Sequence, residues 1–416
     1  MTRMVGVASV VLAGLTAGTA VGQQKQPVTG PVANYWVSVS TTSGMAAMME
    51  GAGGGAASGG RPSIGGMMGM MMRGGPRADS VTHHMTLQLG SERTAASPQA
   101  EHLPPSSLKV GTSLPLVTPP EAPKATPSND QPSVEKYRQQ KPKGKMLIFW
   151  GCGEHVGPGQ PIVIDFAKFS ADPASMAHMG EAFRSFPVSP EHPPAAGHSA
   201  TYGDWPNNRS SVAVPSDGSL VGEHLVRGDY TPDIHFSLRQ DQDFMGPFIL
   251  TSNARTATGA IGLAWSPVSG ALGYLATAVG AGADRETMVM WVSSQVQAAG
   301  FAAPQYLSNG EIRHMVEQRY LLGPETTSCL VPQEVATAAP NAMLSMTAYG
   351  GEANFADPPR PPTPKPWNIS WTVKVRYRSA TMAMLGQPMP GGRGERGESA
   401  PRPDPVRSLM GGFIPH

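Results

Sequence analysis

Charge is scarce in this sequence. Asp, Glu, Lys and Arg make up 15% of its 416 residues and leave a formal net charge of +1, against roughly a quarter charged in ordinary globular chains. With no excess of either sign, the chain carries no footprint for nucleic acid or for an anionic bilayer surface. Cysteine is scarcer still. Cys152 and Cys329 are the two in the chain, which excludes a disulfide-dense miniature fold and every zinc motif built on paired Cys-x-x-Cys. After the first two dozen residues no apolar run approaches the ~20 residues of a spanning helix. Phosphate loop, dinucleotide fingerprint and Ser elbow are all missing.

Glycine and proline are plentiful instead. The 49 Gly and 42 Pro come to near a fifth of the chain, well above the ~12% of average usage, so part of it is not core. At the amino end Arg3 precedes the small, apolar run Met4 to Val21, and Ala20-Val21-Gly22 suits a signal peptidase. Residues 1–22 are therefore expected to be a cleaved signal peptide, leaving no membrane span and placing the protein in the periplasm or cell envelope, or outside the cell. In that oxidising compartment Cys152 and Cys329 are expected to pair as one disulfide.

Alternating side chains mark strands. Tyr35, Val37 and Val39 alternate with Trp36, Ser38 and Ser40, and Val81, His83, Met85, Leu87 and Leu89 alternate with polar residues; this period of two predicts two paired strands. Between them, residues 43–76 are almost only Gly, Ala, Met and Ser, a composition that predicts a disordered insertion. Residues 92–142 are Pro-rich and read as linker or surface wrap, with Leu114 to Val117 as a short edge. Met146 to Trp150 is a continuous apolar run, expected to be covered on both faces at the centre of a first domain. Gly222 to Val226 and Ile234 to Leu238 suggest a further pair.

From Gly259 the texture changes. Ile261, Leu263 and Trp265 alternate into Ser266-Pro267, then Gly273-Tyr274 follows. This succession resembles the B and C strands of a fibronectin type III domain over residues 259–380, and the resemblance implies a small antiparallel sandwich with Trp265 and Tyr274 as core aromatics. Gln295 to Leu322 inserts a helix-like segment with Ile312, Met315 and Val316 at helical spacing. Leu147-Ile148-Phe149-Trp150-Gly151-Cys152-Gly153-Glu154-His155 and Tyr202-Gly203-Asp204-Trp205-Pro206 resemble a group of uncharacterised exported proteins of Gram-negative bacteria, which implies export alone. The expected fold is all-β: two antiparallel β-sandwich domains, 31–250 and 251–380, with long disordered insertions, a short helical insertion in the second, and a disordered tail over 381–416.

Cys152, Glu154 and His155 are the densest reactive group, and Gly-Glu-His recurs at Gly222-Glu223-His224. If the two stretches met, Glu154, His155, Glu223 and His224 would offer carboxylates and imidazoles to zinc or copper. The competing reading is a disulfide at Cys152 with Glu154 and His155 as hydrogen-bonded loop caps. A hydrolase-type site would need Cys152 as a free nucleophile, His155 as its base and a third orienting group. Eight methionines between Met45 and Met72 are soft ligands that suit Cu(I), or low-complexity drift in an unpacked loop. Tyr202, Asp204 and Trp205 are binding-loop candidates. The function expected is an exported, non-enzymatic binding or structural protein with an envelope partner or small ligand; copper or zinc binding and the Cys152/His155 hydrolase are the alternatives.

Overall fold

The computed structural model describes residues 30–47, 80–119, 144–166, 185–188, 191–298, 303–362 and 367–387. The expected signal peptide, residues 48–76 of the Gly/Met insertion, residues 120–142 of the Pro-rich segment and residues 388–416 of the expected tail lie outside the described residues. Residues 43–47 and 381–387, expected to be disordered, are instead ordered, with Ser43 and Thr381 paired in a sheet and Ala47 and Leu385 buried.

Strands dominate, and the chain is all-β as its alternation predicts. The first nine are β1 (Ala33–Ser43), β2 (Val81–Ser91), β3 (Ala100–Leu103), β4 (Leu114–Leu116), β5 (Lys145–Trp150), β6 (Ile162–Asp165), β7 (Thr201–Trp205), β8 (Gly222–Gly228) and β9 (Ile234–Leu238). Then come β10 (Leu250–Arg255), β11 (Ile261–Trp265), β12 (Gly273–Ala281), β13 (Thr287–Val292), β14 (Ser328–Val331), β15 (Met343–Asp357) and β16 (Trp371–Met384).

They build two sandwiches of the same plan. In the first, β1-β2-β7 faces β4-β3-β8-β9; in the second, β10-β11-β14 faces β13-β12-β15-β16. Tyr35, Val37, Val39, Leu87 and Leu89 point into the first core and meet Val226, Ile234 and Phe236, because alternate residues of a strand share a face. In the second core Trp265, Phe248 and Tyr274 meet ring to ring, 5.6 to 6.0 Å between centroids.

The two sandwiches are not strung on a linker. β1 pairs in parallel with β16 along its whole length, from Ala33↔Trp371 to Ser43↔Thr381, and β5 pairs in parallel with β13, from Thr287↔Lys145 to Val292↔Trp150. One nine-stranded sheet results, in the order β6-β5-β13-β12-β15-β16-β1-β2-β7. The hairpin β5–β6 belongs to the first sandwich by sequence and to the second by pairing. This corrects the expectation that Met146 to Trp150 centres the first domain. The run is covered on both faces, Met146 and Ile148 against Ile164 and Met290 on one, Phe149 on the other, but its partner is β13 and it lies one strand from the sheet's edge. A continuous apolar run reports burial on both faces and says nothing of which sandwich supplies the cover.

The Pro-rich segment holds a second correction. Its described part is not wrap: β3 lies between β4 and β8, with His102 fully buried. Pro98, Pro104 and Pro105 flank β3 without interrupting it, and Pro115 sits in β4, an edge strand of its sheet where a missing donor is tolerated.

Shared burial implies shared unfolding. Val375 on β16 lies beside Val37 on β1, both essentially inaccessible. Val375→Ala is expected to cost about 2 kcal/mol in lost burial and cavity and to shift a single cooperative transition in urea. Two separate transitions, with only one moved, would show that the sandwiches unfold apart.

The outer face of the large sheet, turned away from the small sheets, carries the short helix α1 (Asn309–Glu317). Ser308 and Glu311 close its amino end as a capping box, and Ile312 and Met315 bury against Leu275 and Tyr349, as the helical spacing predicts. A second helix, α2 (Gln333–Ala338), packs Val335 and Ala336 into the inner core. No helix among the described residues is long and apolar enough to cross a membrane.

Candidate functional site

The group around Cys152 resolves into a staple. Cys152, just beyond β5, is bonded to Cys329 of β14 with α-carbons 5.3 Å apart, inside the range a disulfide requires. The bridge ties the borrowed hairpin to the second sandwich's small sheet, and Gly153 N donates to Leu330 O at 2.9 Å beside it. Cys152 therefore has no thiol, and the hydrolase alternative loses its nucleophile. His155 stands exposed, its Nδ1 2.9 Å from Glu334 Oε1 on α2, while Val156 N donates to Glu334 Oε2; Glu154 O accepts from Gln333 N. These are loop-docking contacts.

Glu223 and His224 do not join them. Successive residues of β8 face opposite ways, so Glu223 is exposed while His224 is buried. The four proposed ligands Glu154, His155, Glu223 and His224 form no metal set, and among the described residues no three His, Cys, Asp or Glu stand together to hold an ion. His224 meets a residue that sequence reasoning passed over. Its Nδ1 lies 3.1 Å from His102 Nε2, and His102 Nδ1 lies 2.7 Å from Tyr35 Oη. The far end fixes every proton. His224 Nε2 is 2.7 Å from Leu220 O, and a carbonyl only accepts, so Nε2 donates and neutral Nδ1 accepts from His102 Nε2–H. His102 Nδ1 then accepts from the tyrosine hydroxyl. Burial pushes both imidazoles below their ordinary pKa, His102 well below, with the neighbouring His224 adding to the effect there.

Tyr202, Asp204 and Trp205 are strand residues of β7, not a loop. Trp205 points into the first core, its indole N–H donating to Ser210 Oγ, so it is unavailable to a ligand. Tyr202 and Asp204 share the outer face, with the tyrosine hydroxyl donating to Asp204 Oδ2 at 3.2 Å. Burial raises both, the phenol to about 12.

The densest polar array on that outer face is elsewhere. Lys374, Arg376 and Arg378 alternate along β16 with inward Val373, Val375 and Tyr377. Arg376 is held between Trp36 of β1 and Tyr306, 4.6 and 4.4 Å from the ring centres, and Arg378 lies 5.1 Å from the ring centre of the same Tyr306. Arg376 also donates from Nε and Nη2 to Ser38 Oγ. Burial lowers Arg376 from its ordinary pKa, yet stacked π faces keep a guanidinium charged. Lys374 takes both nearby carboxylates, Glu191 and Glu352. A bulge makes this possible: Gly350 and Gly351 stand between the pairs Tyr349↔Arg378 and Glu352↔Arg376, with Gly351 at φ +74°. The extra residue turns Glu352 outward beside Lys374. Three cations at period two were readable in the sequence; that Trp36 and Tyr306 would meet them was not.

Compared with known proteins, the chain matches no family model, no curated protein and no solved structure.

Proposed function

We propose that this chain is an exported, non-enzymatic binding or structural protein of the cell envelope, built on paired fibronectin type III-like sandwiches. The observation that carries it is the Cys152–Cys329 bridge, since a stapling disulfide persists where the surroundings oxidise thiols. The strand order supports the fibronectin-type reading. Three strands, β10-β11-β14, face four, β13-β12-β15-β16, with Trp265 and Tyr274 between them, and the first sandwich repeats the plan. Rigid sandwiches that hold side chains on an outer face suit presentation to a ligand or partner. The leader Arg3 to Val21 supports export.

Expression of the full chain in a Gram-negative host tests this. Mature protein beginning at Gln23 in the periplasmic or extracellular fraction, with no free thiol by alkylation and mass spectrometry, is expected. An uncleaved chain in the cytoplasm with two alkylated cysteines would end the export reading.

A further inference from the structure

The outer face holds a cleft beside the arginine stack. It has a volume of about 170 Å³ and lies over β12, β15 and β16, roofed by Ala303, Pro304 and Gln305. Thr277, Ser345, Thr347 and the guanidinium of Arg378 line it. Leu275 and the ring of Tyr349 complete the wall, and the Tyr349 hydroxyl donates to Pro304 O at 2.7 Å, which pins the roof to the sheet.

The charge balance is open there. Glu191 and Glu352 both pair with Lys374, and among the described residues no carboxylate forms an ion pair with Arg378. Its Nε is buried and has no hydrogen-bond acceptor. That sealed nitrogen is out of a ligand's reach as it is out of water's, and Tyr306, with its ring centre 5.1 Å away, takes a hydrogen bond from the guanidinium. What the cleft offers a ligand is the charge of Arg378, which lines it without a carboxylate partner among the described residues. What satisfies a planar fork of donors is a planar pair of oxygens. The three side-chain hydroxyls give and take hydrogen bonds as a ligand requires, and the apolar wall accommodates a short carbon skeleton. The cleft has room for about six waters, the bulk of roughly a three- or four-carbon acid.

We propose that this cleft binds a small organic carboxylate, its oxygens on Arg378 and its hydroxyl or carbonyl groups on Thr277, Ser345 and Thr347. This deepens the binding reading above, on which it rests.

Arginine Nε–H resonances of the full-length, ¹⁵N-labelled protein report on the site. Titration with sodium lactate at fixed ionic strength is expected to move one such resonance to saturation, and Arg378→Gln is expected to remove that resonance and the binding. Thr347→Val is expected to weaken lactate at least tenfold with the midpoint of thermal unfolding unchanged. Should Arg378→Gln fail to fold, Thr347→Val and Ser345→Ala carry the comparison. A flat lactate titration overturns the proposal, as does a shift that survives both hydroxyl variants. Saturation with sodium phosphate but not with lactate overturns the carboxylate assignment. None of these failures touches leader cleavage or the oxidised cysteines, so the ligand and the export reading stand or fall separately.

Discussion

Replacing Cys152 and Cys329 together by serine is expected to lower the unfolding free energy by about 3 to 5 kcal/mol, read from urea denaturation at neutral pH. The bridge closes a loop with a sequence separation of 177 residues, and in the chain-entropy picture a loop of that length removes much freedom from the unfolded ensemble. The folded state should lose order unevenly. Among the described residues β5 and β6 pair with the rest of the sheet through β13 alone, so hydrogen exchange should rise in β5, β6 and β13. It should stay slow in β3, β8 and β9, which lie in the other sandwich. A uniform rise, or a loss below about 1 kcal/mol, would show that the hairpin is held by pairing alone.

The second large effect is a dependence on pH set by His102 and His224. Both are neutral when folded, because burial depresses their affinity for protons, whereas in the unfolded chain each titrates near 6.5. Below that value the unfolded state binds more protons than the folded one, so stability falls as pH falls. The contribution is complete above about pH 7 and is lost progressively below about 6.5, with a limiting slope of about 1.4 kcal/mol per pH unit for each histidine. Urea midpoints at pH 7.5, 6.5 and 5.5 measure this. His102→Ala should remove part of the slope and cost about 3 kcal/mol at pH 7.5, since it opens a cavity and strands Tyr35 Oη and His224 Nδ1. A slope unchanged in His102→Ala and His224→Ala would show that other groups govern acid unfolding.

How far the sequence reaches can be judged from particular strands. The alternation around Val37 and Leu87 announced both a face and a partner, because β1 and β2 are neighbours once the insertion is set aside. Trp265 and Tyr274 announced a core for a similar reason: both lie within one short stretch of chain. The two cysteines announced their bridge by being the only pair available. What stayed hidden was long-range. Periodicity tells which side chains share a face, and nothing in Lys145 to Trp150 says that residues 287–292 will lie alongside. β3 was hidden by the prolines around it, although His102 and Ala100 already alternate with Glu101 and Leu103. The candidate metal ligands failed on the same physics that makes strands legible, since adjacent Glu223 and His224 must face opposite ways. The outer cleft needed Arg378, Thr347, Thr277 and Pro304 to converge from four separate segments.

The parallel seam between β1 and β16 has a bearing on the order of events in synthesis. An emerging chain presents residues 33–43 well before their lateral partner on one side, which follows 338 positions later at Ala33↔Trp371. Until then that strand has one bare flank of amides and carbonyls, an invitation to foreign strands. The seam can zip shut only after residues 371–381 have been delivered, so local hairpins do not by themselves commit the chain to its native form.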